Sequence, residues 1–182
     1  MRPAIRLPDI AIATPRLLLR PLARTDFDDL VAEVNDLAVT RMLARIPYPY
    51  TRVDAEGFFA SSGRNDNDLA LMITLAGRVI GGIGLARIDR DCEFGYWLGR
   101  AHWGNGYASE AARAFLAHAF ATYPVETIHS GVFVDNPASL RLQEKLGFRI
   151  VGRRFVDCLA RRCKVEHIDT VLSRAVFLET RS

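Results

Sequence analysis

Apolar positions along the chain follow two rhythms, one with a period of two residues and one with a period near 3.6 residues. Extended apolar segments predict strands at residues 16–22, 69–75, 78–88, 91–98, 126–134, 148–157 and 164–174. Apolar residues spaced at i, i+3 and i+4 predict helices at residues 26–34, 36–44, 52–63, 107–122 and 137–146. This mixture, with a hairpin meander in the middle, predicts an α/β sheet with helices on its faces.

The most informative segment is a glycine-containing loop that leads into the helix at 107–122. Gly104 and Gly106 permit backbone angles that other residues avoid and remove side chains that would block a ligand. Free amides and the positive end of the dipole make a helix N-terminus favourable for phosphate. The loop therefore predicts an anion cradle, although a plain tight turn is the alternative. Its residues are Trp103, Gly104, Asn105, Gly106, Tyr107, Ala108 and Ser109.

The loop matches neither of the common nucleotide-binding signatures. No Gly-Lys-Ser/Thr follows it, as a Walker motif requires, and Gly-x-Gly-x-x-Gly is absent. The later helix at 137–146 has its own boundary signals, since Asn136 is a suitable cap, Pro137 suits the first turn and Gly147 ends it.

Length, composition and charge restrict the class of protein. The 182 residues fit one domain, 1–182, with a core at about 14–174. The chain is 49% hydrophobic and 25% charged, which is typical of a globular protein. A net charge of +3 suits an anionic ligand, but the arginines are scattered, so specific nucleic-acid binding is not expected.

The three cysteines indicate a reducing compartment, because an odd number does not suit a disulfide framework. No signal peptide or membrane-spanning run is visible, so we expect a cytoplasmic protein with no membrane partner. Cys158, Cys163 and His167 supply three ligands where a structural zinc site needs four, so no metal is predicted.

Four segments together resemble the GCN5-related N-acetyltransferases, in particular the branch that acetylates ribosomal-protein N-termini. Residues 14–20 resemble the first strand of that branch, and 95–98 its fourth. Residues 103–108 are similar to its pyrophosphate loop, and 135–148 to its last helix and strand. The resemblance implies a single-domain fold with a mixed, mostly antiparallel sheet of about seven strands, splayed at the fourth and fifth strands and flanked by helices.

The same resemblance implies an N-acetyltransferase that uses acetyl-CoA as cosubstrate and acetylates a primary amine. In this reading Glu93 is the candidate base and Ser139 the candidate acid for the leaving thiolate. The alternative for Ser139 is that it binds the sulfur while solvent supplies the proton. Amides around Trp97 and Leu98 would hold the thioester and pantetheine, and Asn136 would bind pantetheine. Tyr48 and Tyr50 would contact the acceptor. A structural role is the alternative for Glu93, for Asn136 and for the two tyrosines.

The chain departs from the family pattern at three positions. Trp103 stands where many relatives have Gln or Arg, and Asn105 where this branch usually has a basic residue. Backbone amides must then carry more of the pyrophosphate binding. Gln143 stands where some relatives have a tyrosine acid, so a tyrosine acid at that position is excluded.

The expected acceptor is a protein N-terminal α-amine, with that of a ribosomal protein as one candidate. An α-amino group has a pKa of about 7.7–8.0, whereas lysine has one near 10.4, so the α-amine is easier to deprotonate. The alternatives are acetylation of a small-molecule amine and a non-catalytic acetyl-CoA sensor or interaction module. Both a monomer and a homodimer fit the sequence.

Overall fold

One eight-stranded sheet organises the molecule in the computed structural model, which describes residues 10–62 and 67–180. The strands are β1 Ile12–Ala13, β2 Leu17–Arg20, β3 Leu69–Leu75, β4 Arg78–Ala86, β5 Glu93–Leu98, β6 Thr127–Phe133, β7 Arg149–Cys158 and β8 Cys163–Ser173. The helices are α1 Phe27–Val34, α2 Leu37–Thr40, α3 Arg52–Ser61, α4 Tyr107–Thr122, α5 Pro137–Lys145 and α6 Arg174–Glu179.

The sheet is antiparallel except at one place. Its strand order is β1-β2-β3-β4-β5-β6-β8-β7, and β5 and β6 run parallel. These two strands share a single register pair, Glu93 with His129, and then diverge. They are the strands predicted at 91–98 and 126–134, so the expected mostly antiparallel, splayed sheet is confirmed.

Two hydrophobic cores lie on opposite faces of the sheet. One joins the sheet to α4, α5 and α6 and contains Phe94 and Leu98 of β5 together with Phe115 of α4. The other joins the sheet to α1 and α3, and Trp97 packs against it. Because side chains alternate along a strand, consecutive residues of β5 reach different cores.

The observed elements differ from the predicted ones at short segments. The strand β1 adds an eighth strand, but its two residues are too few to show a period. The helix expected at 36–44 is shorter, because α2 ends at Thr40 and turns lead into the Pro-containing loop. The helix α6 was not predicted; it begins where Ser173 Oγ accepts the amide of Val176.

Two expectations involve residues outside the described ranges. The end of the third helix was predicted at residue 63, whereas α3 ends at Ser61 within the described chain. The N-terminal residues used to argue against a signal peptide are 1–6, which also lie outside. Within 10–62 and 67–180, no helix has both the length and the apolar character needed to cross a membrane.

Candidate functional site

The glycine loop adopts the conformation that its sequence predicts. Gly104 and Gly106 have φ values of +76° and +78°, in the left-handed region that favours glycine. Gly106 is the N-cap of α4, and no side chain caps this helix end. The first amides of α4 therefore have no intrahelical partner and remain available to an anion.

The loop is fastened to the turn before β2 by a partly buried carboxylate. Glu110 in the first turn of α4 accepts the hydroxyl of Thr14 at 2.6 Å and the Nε of Arg16 at 2.6 Å. Burial raises the pKa of Glu110, but the hydrogen bonds from Thr14 and Arg16 outweigh it and lower the pKa overall. These bonds fix the direction of the helix end that forms the cradle.

Arg16 also contacts the loop directly. Its Nη1 donates to the carbonyl of Asn105 at 3.0 Å, and its guanidinium lies over the ring of Tyr107 at 4.6 Å. A cation therefore lies beside a loop in which Trp103 and Asn105 replace the family's polar or basic residues. The sequence analysis gave Arg16 no role, because the residue lies 89 positions before Asn105.

Trp103 and Asn105 give the loop internal structure. The indole Nε1 of Trp103 donates to the carbonyl of Leu98 at 2.8 Å, while 46% of the residue stays exposed. The Nδ2 of Asn105 donates to the carbonyls of Trp103 at 3.0 Å and His102 at 3.3 Å. The strand end, the loop and the start of α4 thus form one connected unit.

The splay between β5 and β6 begins at a defined point. The amide of His129 donates to the carbonyl of Cys92 at 2.7 Å, and Ser130 Oγ donates to the carbonyl of Phe94 at 2.9 Å. The amide and carbonyl of one strand residue point to the same side, so the amides of Tyr96 and Leu98 face the gap beyond Phe94. Leu98 thus presents its amide to the gap, whereas Trp97 lines the gap with its side chain.

A cavity of about 890 Å³ passes through this gap and is lined from both faces of the sheet. It reaches from α1 on one face to the glycine loop and α5 on the other. Asn105 and Tyr48 are outside the lining, and Tyr48 is 40% exposed. The predicted site residues that line the cavity are Tyr50, Glu93, Trp97, Leu98, Trp103, Gly104, Gly106, Tyr107, Ala108, Ser109, Asn136 and Ser139.

Glu93 lies on the face of the sheet that carries α1 and α3. Its Oε2 accepts the Nη2 of Arg87 at 2.8 Å and the Nη2 of Arg45 at 3.1 Å. The sequence analysis did not identify either arginine as a partner. Both hold the carboxylate at the edge of the gap, where it lines the cavity.

The start of α5 brings polar groups to the other face. Asn136 Oδ1 accepts the amide of Ser139 at 3.2 Å, so Asn136 is the helix cap that the sequence predicts. Its Nδ2 has no hydrogen-bond partner among the described residues, which leaves a donor for a ligand. The family role of Asn136 in pantetheine binding remains a prediction.

Tyr96 is a site residue that the sequence analysis missed. Its hydroxyl lies 2.7 Å from Ser139 Oγ, and both residues line the cavity. Burial raises the pKa of Tyr96 to about 12, although the hydrogen bond to Ser139 acts in the opposite direction. The alternation along β5 was the available signal, since it places Tyr96 on the face opposite Glu93.

Gln143, at the position of the family's tyrosine acid, belongs to a buried polar network. It is 1% exposed, its Nε2 donates to Ser130 Oγ at 3.0 Å, and its Oε1 accepts Thr170 Oγ1 at 2.6 Å. With the bond from Ser130 to Phe94, the network ties α5 to β5, β6 and β8. Gln143 is therefore a structural residue.

The described chain contains no group of three or more His, Cys, Asp or Glu side chains placed to hold a metal ion. Cys158 is buried and Cys163 exposed on facing positions of β7 and β8. His167 Nδ1 lies 2.8 Å from Asp169 Oδ1, so the ring is hydrogen-bonded to a carboxylate of the same strand.

Comparison with known proteins supports the fold and the chemistry. The chain is 29% identical over 147 residues, 76% of its length, to the uncharacterised N-acetyltransferase p20 of Bacillus licheniformis, of which it covers 82%. Its fold resembles that of RimJ of Mycobacterium smegmatis in complex with CoA-disulfide, with a TM-score of 0.79 and 18% identity. That match covers 96% of this chain and 91% of RimJ.

A second solved structure of the same fold is the spermidine N-acetyltransferase of Vibrio cholerae in complex with CoA and spermine. The TM-score is 0.78 with 21% identity, over 90% of this chain and 98% of the other. Residues 16–149 match the family model described as an acetyltransferase (GNAT) domain. The chain therefore belongs to the GNAT family and is an N-acetyltransferase whose acetyl donor is acetyl-CoA.

Proposed function

We propose that the acetyl acceptor is the α-amine of a protein N-terminus. The observation that carries this proposal is the charge balance on the α1 and α3 face of the gap, where the acceptor would enter. Three carboxylates line the cavity, and each has a donor from the protein itself. They are Asp68, Glu93 and Asp135.

Arginines compensate the charge of two of these carboxylates. Glu93 binds Arg45 and Arg87, as described above. Asp135 binds Arg41 at 2.8 Å and both terminal nitrogens of Arg161 at 2.9 Å. These hydrogen bonds, above all that from Arg161, lower the pKa of Asp135, although partial burial opposes them.

The third carboxylate is engaged as well, since Asp68 accepts the backbone amide of Arg87 at 2.8 Å. A polyamine carries several positive charges and is best bound by carboxylates that lack a protein cation. Here two of the carboxylates that a polycation would bind are already paired with guanidinium groups, those of Arg41, Arg45, Arg87 and Arg161. An N-terminal peptide brings a single amine, which can enter neutral.

Apolar side chains make up much of this face, which suits the first residues of a peptide. Partly buried Leu43, Ile46 and Phe58 line the cavity together with Trp97. Tyr50 is 5% exposed, and burial raises the pKa of its hydroxyl to about 12, so it stays protonated at neutral pH. Such a surface favours an acceptor with an uncharged side chain next to its amine.

Glu93 accepts the amine proton, directly or through one water molecule, in the proposed reaction. An α-amine requires little assistance because its ordinary pKa is about 7.7–8.0. The amide of Leu98 faces the gap and is the candidate donor to the developing oxyanion. The amides of α4 and the guanidinium of Arg16 would hold the pyrophosphate, and the Nδ2 of Asn136 the pantetheine.

Acetylation of a small cationic amine is the second candidate, favoured by the shared fold with the spermidine N-acetyltransferase. The test compares three acceptors with acetyl-CoA: a peptide with a free N-terminus, the same peptide with a blocked N-terminus, and spermidine. Release of free thiol measures turnover, and mass spectrometry locates the acetyl group.

We expect turnover with the free peptide and little with the other two acceptors. Equal turnover with the blocked peptide would place the acetyl group on a side chain and contradict the proposal. Faster turnover with spermidine would favour the second candidate. Binding of acetyl-CoA without turnover on any amine would favour a sensor.

A further inference from the structure

The structure raises the question of what stabilises the leaving thiolate. At the position where some relatives carry a tyrosine acid, Gln143 is buried and both of its polar atoms have partners. No proton can come from that side chain. Tyr96 and Ser139 form a hydrogen-bonded pair of hydroxyls that lines the cavity.

We propose that Tyr96 is a positioning residue, which orients the Ser139 hydroxyl so that it donates a hydrogen bond to the sulfur of the leaving thiolate. The inference rests on the acetyl-CoA-dependent activity of the proposed function but not on the identity of the acceptor. Ser139 is the residue that touches the reacting sulfur, and Tyr96 acts through it.

The geometry supports this arrangement. The two hydroxyl oxygens are 2.7 Å apart, whereas Tyr96 Oη is 3.3 Å from the backbone carbonyl of Ser139. The hydroxyl of Tyr96 has one proton, and the shorter distance favours its donation to Ser139 Oγ. The proton of Ser139 is then free to point into the cavity, and donation by Tyr96 strengthens it as a donor.

The electrostatics define the role of Tyr96. Burial raises the pKa of its hydroxyl to about 12, so the proton is retained throughout the neutral range. A thiol is more acidic, with a reference pKa of about 8.5 for cysteine, so full proton transfer from Tyr96 to a thiolate is unfavourable. Tyr96 therefore orients and polarises Ser139, and the proton that the sulfur gains comes from solvent.

In the proposed reaction, the amine and the sulfur lie on opposite faces of β5. The amine nitrogen forms a bond to the acetyl carbon and gives up a proton on the Glu93 side. The bond between carbon and sulfur breaks, and the sulfur keeps the electron pair on the Tyr96 side. One proton leaves the amine and one reaches the thiolate, so the step is balanced.

The test measures the ionisation of bound CoA, which requires no acceptor. Thiolate absorbs in the ultraviolet, so a pH titration of the CoA complex gives the apparent pKa of the bound thiol. We expect this pKa to lie below that of free CoA in the wild-type complex. Tyr96→Phe and Ser139→Ala should each raise it, by about one unit for a tenfold loss of stabilisation.

Turnover provides the second readout. We expect kcat to fall about 10²-fold in Ser139→Ala, which is the usual cost of one lost donor to a developing charge. Tyr96→Phe should lower kcat about tenfold with KM for acetyl-CoA unchanged, and the double variant should match Ser139→Ala alone. Tyr123→Phe is the matched control, a partly buried tyrosine whose pKa is also raised by burial and which lies outside the cavity lining.

A merely structural role predicts a different result. If Tyr96 only fastens α5 to β5, Tyr96→Phe lowers the melting temperature and leaves both kcat and the thiol pKa unchanged. If that variant does not fold, a Ser139→Ala complex with wild-type thiol ionisation overturns the proposal, because Tyr96 acts only through Ser139. Failure of the peptide acceptor, in contrast, removes turnover but leaves the titration measurable.

Discussion

Glu93 and Tyr96 are three positions apart on β5, so their side chains lie on opposite faces of the sheet. The alternation of the strand directs Glu93 to the arginines on the proposed acceptor side and Tyr96 to Ser139 on the proposed cofactor side. Each side chain is held by a hydrogen bond to a distant part of the chain. At the residue scale, the geometry of β5 thus determines the distance between Glu93 and Tyr96, the two groups of the proposed site.

Glu93→Gln should lower kcat by a factor of about 10²–10⁴, the usual contribution of a general base. Affinity for acetyl-CoA, measured by isothermal titration, should stay within about twofold. Part of the lost rate should return at higher pH, since more of the acceptor amine is then neutral. Glu166→Gln removes a comparable pairing between Glu166 of β8 and Arg153 of β7, and it should leave kcat unchanged. Full activity of Glu93→Gln would rule out the base assignment.

Gly106→Ala should destabilise the cofactor loop. Alanine at a φ of +78° costs about 1–2 kcal/mol, and its Cβ would lie 3.4 Å from Arg16 Nη2. We expect at least a tenfold weaker affinity for acetyl-CoA, measured by titration.

Gly57→Ala is the matched control for this substitution. Gly57 lies inside α3 and has open space around its Cβ position, so alanine should stabilise that helix by about 0.5–1 kcal/mol. A wild-type affinity of Gly106→Ala for acetyl-CoA would show that the left-handed turn is not needed for binding.

At the element scale, α4 is the part of the site that depends most on its neighbours. Its N-terminus is uncapped, so its position comes from Glu110, Thr14 and Arg16 rather than from a local turn. Its C-terminal end is held by Arg174, which donates to the carbonyls of Tyr123 and Phe120. Contacts with the turn before β2 at one end and with the start of α6 at the other thus fix the axis along which the first amides of α4 point.

Glu110→Gln should lower the free energy of unfolding at pH 7 by about 1–2 kcal/mol. The pKa of Glu110 is lower in the folded protein than in the unfolded chain. Its contribution is therefore complete above the ordinary glutamate value of about 4.3 and is lost as pH falls through the folded pKa. Urea denaturation should show a difference between the two proteins that shrinks below about pH 4.

Glu56→Gln provides the control for this pH series. It removes an exposed pair with Arg52 within α3, which should contribute less than about 0.5 kcal/mol at any pH. A difference for Glu110→Gln that stayed constant down to low pH would contradict the ion-pair explanation.

The sequence was sufficient to predict long elements with a clear hydrophobic periodicity. It was also sufficient to predict features that depend on local signals. The helix at 107–122, the cap at Asn136 and the left-handed loop glycines were all predicted and confirmed. The partners of the site residues could not be predicted, because they are remote along the chain. Arg45 lies 48 positions before Glu93, and Ser139 lies 43 positions after Tyr96. No local pattern encodes which strand residue meets which loop.

At the scale of the whole molecule, the gap between β5 and β6 connects the two faces of the sheet, so that residues from both faces line one cavity. The sheet is continuous on either side of the gap, and each face has its own hydrophobic core. The only register pair between the two strands lies at Glu93, at one end of the gap. A ligand in the gap would therefore connect two parts of the sheet that are otherwise joined over a short stretch.

Acetyl-CoA should accordingly stabilise the whole protein against heat. At a concentration of about 100 times Kd, binding to the folded state contributes about 2.7 kcal/mol. For a chain of this length the melting temperature should rise by about 5–10 °C, measured by calorimetry. NAD, which has a pyrophosphate but no pantetheine, should give a much smaller rise. Equal rises with both ligands would indicate binding by the loop alone.

The two tryptophans of the chain, Trp97 and Trp103, both line this cavity, one beside the α1 and α3 core and one in the glycine loop. Their intrinsic fluorescence consequently makes the unlabelled protein its own reporter. Tryptophan emission in Trp97→Phe would come only from the glycine loop, on the proposed cofactor side, and in Trp103→Phe only from the proposed acceptor side. Stopped-flow traces of the two variants can thus separate the arrival of each substrate and reveal the order in which they bind.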